Sequence, residues 1–358
     1  MLHIVGTITT TTHVHQTSPN KSGNYSPTIK SYAFDRHHVQ REVPFITANS
    51  VRGVLRRAAA ERVMDAINSP VSRAAFSVFT TGKADKKDIG RVPSTKILVA
   101  GGKNIFAGLF GGGGYMLPSL YGMGPLVPMV EWCQDWLHPS LRERMIPAHR
   151  LTYTVNDVTR DVPLTTDLIL TSRDDLLNGK GANRVENYQV SVDAWIAEVS
   201  AGRAGKAANK AEKEEAKKRG EKLTGESTHG VGVDVSGYNL IEAMLPGTPL
   251  QFWMRLNQRA TDAQVGLMLM AVQDWANANV IGGASARGFG RFDAQLALYD
   301  DDREVAASVF NLGDHATAYS LSKELAPYLE AAEAELAALS LEDMDLAFGT
   351  GKTSKNDV

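Results

Sequence analysis

Two stretches of helical spacing, each flanked by stretches that alternate, limit the folds open to this chain more than any other feature. Near the start, Leu2, Ile4, Ile8 and Val14 hold even positions, while His3, Thr7, Thr9, Thr11, His13 and His15 hold odd ones. A period of two marks a strand, with one set of side chains in a core and the other on an open face. After a polar loop over 16–32, Pro44 to Ser50 leads into a helix. Its Val51, Val54, Leu55, Ala58 and Val63 to Ile67 keep helical spacing, with Asn49 or Ser50 as the cap. Alternation returns over Arg150–Val158 (Leu151, Tyr153, Val155). It returns again over Tyr238–Met244 and, after a turn at Pro246-Gly247-Thr248, over Leu250–Leu256. Thr261 and Gln264 form a capping box. The helix it opens puts Val265, Met268, Leu269, Val272, Trp275 and Ala276 on one face and stops at Gly282-Gly283. Phe292, Ala294, Leu296 and Leu298 make a last strand. Strand, helix, strand, strand, helix, strand is the split β-α-β order, so the expected class is α+β with a ferredoxin-like (RRM-like) core.

That core takes up 1–68, 149–159 and 238–299. Two insertions, 69–148 and 160–237, interrupt it, and 300–358 follows it. The first insertion shows no steady period apart from a helix near Val130–Leu137. The middle of the second, Arg203–Lys222, has 8 basic and 4 acidic residues and no apolar side chain larger than Ala. Such a run has too little apolar surface to order itself, so it reads as a solvated helix or a disordered loop. The last segment holds an Ala/Glu/Leu helix around Ser322–Leu339 and a polar tail.

The formal net charge of the 358 residues is −2, unevenly spread. Tyr299–Val358 carries 13 acidic and 4 basic side chains, a net of −9, which leaves the remainder at +7. A basic body with an acidic end fits either a polyanion partner or a merely solvated surface. No run of about 18 apolar residues is present, so no membrane span is expected. The start lacks a basic region, and no signal peptide is read. A single Cys133 excludes an internal disulfide framework and a thiolate zinc cluster, and fits a reducing, cytoplasmic compartment. No cofactor and no metal are expected. His13 and His15 read as an exposed pair on one strand face, and His37-His38 is treated alike.

Three stretches carry candidate chemistry. In Ser50-Val51-Arg52-Gly53-Val54-Leu55-Arg56-Arg57, Arg52 and Arg56 share a helix face near an amino end, where free amides favour anions. Gly53 leaves room for a phosphate backbone. The plainer reading is a surface helix with Arg57 paired to Glu61. The second stretch runs from Gly282-Gly283 to Arg291. Its order, helix then glycines then strand, is the reverse of a dinucleotide site. Backbone amides with Ser285, Arg287 and Arg291 suit a nucleic-acid backbone, and an ordinary glycine-capped connection suits them equally. The third, Gly108-Leu109-Phe110-Gly111-Gly112-Gly113-Gly114, is a close-approach turn or a floppy loop. Gly349-Thr350-Gly351-Lys352-Thr353 mimics the end of a phosphate loop but lacks its first glycine, Leu346 standing there.

In this order, the three stretches resemble the RAMP superfamily of CRISPR-associated proteins, and within it the backbone subunit that repeats along the guide RNA. Pro44 to Arg56 is similar to that family's segment entering the first helix. Leu109-Phe110-Gly111 is similar to its "LFG" element, and Gly282-Gly283 through Gly288-Phe289-Gly290 to its terminal glycine-rich loop. The wording of these motifs and the Lys/Glu-rich insertion are most similar to the type IV backbone subunit.

The resemblance implies a palm, helical fingers over 69–148 and a thumb over 160–237 that kinks the guide. Copies stack head to tail into an open helical filament. A non-catalytic guide-RNA scaffold is expected, with Asn49, Ser50, Arg52, Arg56, Arg36, His37, Gly282, Gly283, Ser285, Arg287 and Arg291 at the RNA. Expected partners are the guide RNA, the target nucleic acid, other copies of the chain and other effector subunits, a guide-processing endonuclease and a helicase among them. The alternative implied by type III relatives is a metal-dependent target-RNA endonuclease. Asp35, in Phe34-Asp35-Arg36-His37-His38, would then hold magnesium near the scissile phosphate.

Overall fold

The computed structural model describes residues 1–20, 24–34, 38–84, 94–147, 152–155, 158–170, 190, 193, 194, 197, 239–311 and 318–350. The Arg203–Lys222 run and most of the expected thumb lie outside these residues, as do Asp35, Arg36 and His37. Two compact units divide the chain: the first takes Met1–Pro19, Pro27–Thr166 and Glu242–Val358, the second Asn20–Ser26 and Asp167–Ile241.

In chain order the first unit opens with β1 (Leu2–Thr10). The short β2 (Tyr25–Ser26) belongs to the second unit, where it pairs in parallel with Leu240 and Ile241. A hairpin, β3 (Lys30–Phe34) and β4 (Gln40–Pro44), leads to α1 (Ala48–Ile67). Then come α2 (Arg73–Thr81), α3 (Ser94–Lys103), α4 (Ile105–Phe110) and β5 (Tyr121–Met123). Two 3-10 segments, Glu131–Trp136 and Pro139–Arg144, precede a hairpin of β6 (Thr152–Val155) and β7 (Val158–Asp161). After β8 (Thr165–Leu170) and β9 (Asn239–Met244) come β10 (Pro249–Leu256), α5 (Asp262–Ala278), β11 (Phe292–Asp300) and β12 (Arg303–Ala306). The chain continues through a small hairpin, β13 (Phe310–Asn311) and β14 (Ser320–Leu321), to α6 (Ala326–Ala338) and α7 (Leu341–Phe348).

The class is mixed α+β. The main sheet runs β12-β11-β1-β10-β5, and every neighbouring pair in it is antiparallel. Ile4 and Ile8 of β1, Phe252 and Met254 of β10, and Leu296 and Leu298 of β11 turn to one face. There they share a core with Val51, Leu55, Ala59 and Val63 of α1 and Met268, Leu269, Val272 and Trp275 of α5. Each fully buried side chain of this size contributes about 1.5–3 kcal/mol. A bidentate pair, Arg62 Nε and Nη2 with Asp274 at 2.5 and 2.7 Å, ties the two helices at their surface.

The capping box at Thr261 and Gln264 is present, both of its hydrogen bonds made. So is the turn at Gly247, whose φ is +79. Several expectations are corrected. The other face of β1 is not open, because Val5 packs under Met129, Leu137 and Leu141, from in and around the two 3-10 segments. The cap of α1 is Thr47 rather than Asn49 or Ser50. The strand over Arg150–Val158 folds back on itself as β6–β7. The main sheet instead takes as its edge the three-residue β5, too short to leave a periodic signal. β9 also stays out of that sheet.

The 69–148 stretch adds side chains to the main core. Phe79, Ile105, Phe106, Leu109 and Phe110 belong to the main core. The glycine run is a close-approach turn. The amides of Gly112, Gly113 and Gly114 donate to the carbonyls of Leu117, Gly82 and Phe348. Beyond the expected helix, Ser340 caps α7, which buries Met344, Ala347 and Phe348. Cys133 lies in a second small core, where burial pushes its thiol up to about 12 and keeps it protonated.

Candidate nucleic-acid interface

The amino end of α1 is held by a polar knot. The Thr47 hydroxyl accepts from the Ser50 amide. Gln16 Nε2 donates to Thr47 Oγ1 at 3.0 Å and to Ser50 Oγ at 3.1 Å, while its Oε1 accepts from the Thr47 amide at 3.0 Å. Beyond the knot, residues four apart share a helix face. Arg52 and Arg56 lie on one such face, and Asn49, Gly53 and Arg57 on the next.

The first face is turned inward. Arg52 donates to Ser119 Oγ (3.3 Å) and Tyr121 Oη (3.4 Å), its guanidinium 5.1 Å from the Tyr121 ring centre. Arg56 is 9% exposed. Its Nε donates to the carbonyls of Val78 (3.1 Å) and Phe79 (2.9 Å), its Nη2 to Val78 (2.7 Å) and Gly111 (3.1 Å), its Nη1 to Phe110 (3.1 Å). These carbonyls lie at the carboxyl ends of α2 and α4, where the backbone carries partial negative charge; that of Val78 also accepts from the Gly82 amide at 2.9 Å. Burial lowers Arg56 to about 10, so it stays charged at neutral pH. The expectation that Arg56 holds phosphate is corrected: its guanidinium is enclosed and occupied by backbone.

The second face borders a groove of about 420 Å³. Asn49, Ser50, Gly53 and Arg57 form one wall, and Trp275, Val280, Ile281 and Gly282 the other. Asn49 and Arg57 are exposed. Gly53 opens the wall as anticipated, since a Cβ there would meet nothing closer than Arg57 Nη1, at 3.4 Å. The expected Arg57–Glu61 pair does not form; among the described residues Arg57 has no ion pair. The sequence reading missed Arg57, although its spacing of four from Gly53 and of eight from Asn49 carried the signal.

The glycine loop is pinned by backbone. The amides of Gly283 and Gly290 donate to the carbonyls of His15 (2.6 Å) and His13 (2.8 Å), and that of Ile281 to Gly290 (2.9 Å). At Gly290 φ is +85, and a Cβ would lie 2.1 Å from the Ile281 carbonyl; at Gly282 φ is +73 and the gap to the His15 carbonyl 2.5 Å. Both positions exclude any other residue by angle and by space. The Gly283 amide is therefore engaged inside the protein, which corrects its expected role as a free donor. Ser285 to Arg287 make one exposed 3-10 turn. Exposed Arg291 leans its Nη1 on the carbonyls of Ala278 (3.3 Å) and Asn279 (3.4 Å) at the end of α5.

His15 is corrected as well. It is 3% exposed, with Nδ1 2.7 Å from the Glu242 carbonyl and Nε2 3.0 Å from Thr17 Oγ1, so it is a core histidine rather than half of an exposed pair. Among the described residues no group of three or more His, Cys, Asp or Glu is placed to hold a metal ion. None of their helices is long and apolar enough to cross a membrane. The structure thus brings Asn49, Ser50 and Gly282 together at one groove, sets Arg291 at its end beside Ala278, and removes Arg56.

No family model matches the sequence, and no curated protein does. Among solved structures, the chain is similar to a chain of "Type IV-B CRISPR Complex", with a TM-score of 0.45 and 16% identity over 83% of this chain and 90% of that one.

Proposed function

We propose that this chain is a non-catalytic, guide-RNA-binding backbone subunit of a type IV-like CRISPR effector complex, working in the cytoplasm. It repeats head to tail along the guide and supports recognition of a target nucleic acid beside other effector subunits. One observation carries the reading: two motif stretches more than 220 residues apart in the chain line opposite walls of one groove, with Arg57 at its mouth. The net +7 of residues 1–298 adds to it, as does the resemblance of the three motifs in order. The sheet also favours a ferredoxin-like palm. With β1, β5, β10 and β11 numbered first to fourth in chain order, the sheet reads fourth, first, third, second from one side to the other, and β12 is added outside the fourth.

Phosphate contacts in such a groove fix position, and base pairing supplies specificity. Binding of a labelled single-stranded RNA, read by fluorescence anisotropy, is expected to weaken steeply as salt rises. Arg57→Glu is expected to lower affinity about tenfold or more at fixed salt, because it replaces an attraction by a repulsion. Thermal melting should be unchanged, since among the described residues Arg57 makes no ion pair or hydrogen bond. Unchanged affinity would remove the groove from the interface.

The scaffold reading also predicts that complementary RNA, incubated with assembled complex and magnesium, stays whole. Regularly spaced cuts that disappear in Asp35→Ala would replace this reading with the endonuclease.

A further inference from the structure

We infer that the groove between α1 and the glycine loop takes one unpaired nucleobase of the bound strand, with the strand's phosphates at the rim. This inference rests on the RNA-binding reading above and specifies what that site recognises. Its basis is the distribution of polarity within the groove. The lining is apolar where it is deepest: Val51, Trp275 and Ile281 are buried, and Val54 and Val280 are half-buried. A phosphate placed on such a floor would lose its hydration without gaining donors, which is strongly unfavourable. A nucleobase has flat apolar faces and gains by leaving water there.

The polar groups stand at the rim. Asn49, Ser50 and Arg57 occupy the helix side. Arg291 reaches the carbonyl of Ala278, itself a lining residue. Among the described residues no carboxylate lines the groove, so its charge complements a polyanion. The volume, about 420 Å³, lies near the lower end of the roughly 300–1,000 Å³ range of small-molecule sites. One nucleoside fits that space and a stacked run does not. Gly53 keeps the entrance wide.

Removing bases while keeping phosphates separates the two claims. Fluorescence anisotropy on the full chain would compare a labelled single-stranded RNA with the same strand in which alternate bases are replaced by abasic ribose. The expected result is binding of both, with the abasic strand about tenfold weaker. Equal affinities would overturn the inference and leave the phosphate-binding reading standing; no binding of either strand would overturn both. Val54→Trp fills the groove from its half-exposed floor. With melting unchanged, it is expected to weaken the base-bearing strand to the level of the abasic one and leave the abasic strand unaffected. Loss of affinity for both strands alike would instead show that the groove holds only backbone.

Discussion

Arg56→Ala is expected to unfold this protein under conditions in which the wild type is stable. The substitution leaves three buried carbonyls, those of Phe79, Phe110 and Gly111, without their donor, while that of Val78 keeps the Gly82 amide. It also empties the space between the ends of α2 and α4. An orphaned buried acceptor costs about 1–3 kcal/mol, and relief of the buried charge offsets part of the sum, so the net loss is put at roughly 5 kcal/mol. Against a total stability of about 5–15 kcal/mol, that is a third or more. Denaturant unfolding followed by circular dichroism measures it. Arg56→Lys keeps the charge but not the planar fork and is expected to recover only part of the loss. A phosphate-binding role makes the opposite forecast, a variant that melts like wild type and fails to bind RNA.

Phe348→Ala should produce the next largest effect, about 4 kcal/mol by analogy with other buried Phe truncations. Its ring packs edge-on to Phe79 at 4.8 Å and to Phe106 at 6.1 Å. Its own carbonyl accepts from the Gly114 amide. Truncation therefore opens a cavity at the point where α7 closes over the glycine run. Differential scanning calorimetry is expected to show a drop in melting temperature on the order of 10 °C. A shift below about 2 °C would mean that α7 is dispensable to the core.

The long elements were legible because each carried many turns or pleats of one period. Val51 to Val63 and Val265 to Ala276 could hardly be read otherwise, and Phe292 to Leu298 alternates without a break. The short edge β5 was not legible, since three residues hold no period. The β6–β7 pair was hidden within one run of alternation, although the sequence between the two strands, Asn156-Asp157, consists of turn-favouring residue types.

Both motif stretches border the candidate groove, but Arg56 is turned to the helix ends and Arg57 to the groove. Charge and spacing are identical for an arginine that faces solvent and for one that faces helix ends. What separates Arg56 from Arg57 is the position of carbonyls contributed by residues 78–79 and 110–111, which no local pattern encodes. The LFG-like element and the arginine-bearing helix travel together for a structural reason: Phe110 and Gly111 offer the carbonyls that Arg56 holds.

The placement of β1 has a consequence for synthesis. Both of its neighbours, Pro249–Leu256 and Phe292–Asp300, come from the last third of the chain. At ~5–20 residues per second, β1 leaves the ribosome tens of seconds before either one. Throughout that interval the nascent chain carries Ile4, Val5 and Ile8 on a strand that lacks both of its native neighbours, an edge open to mispairing until the last third of the chain emerges.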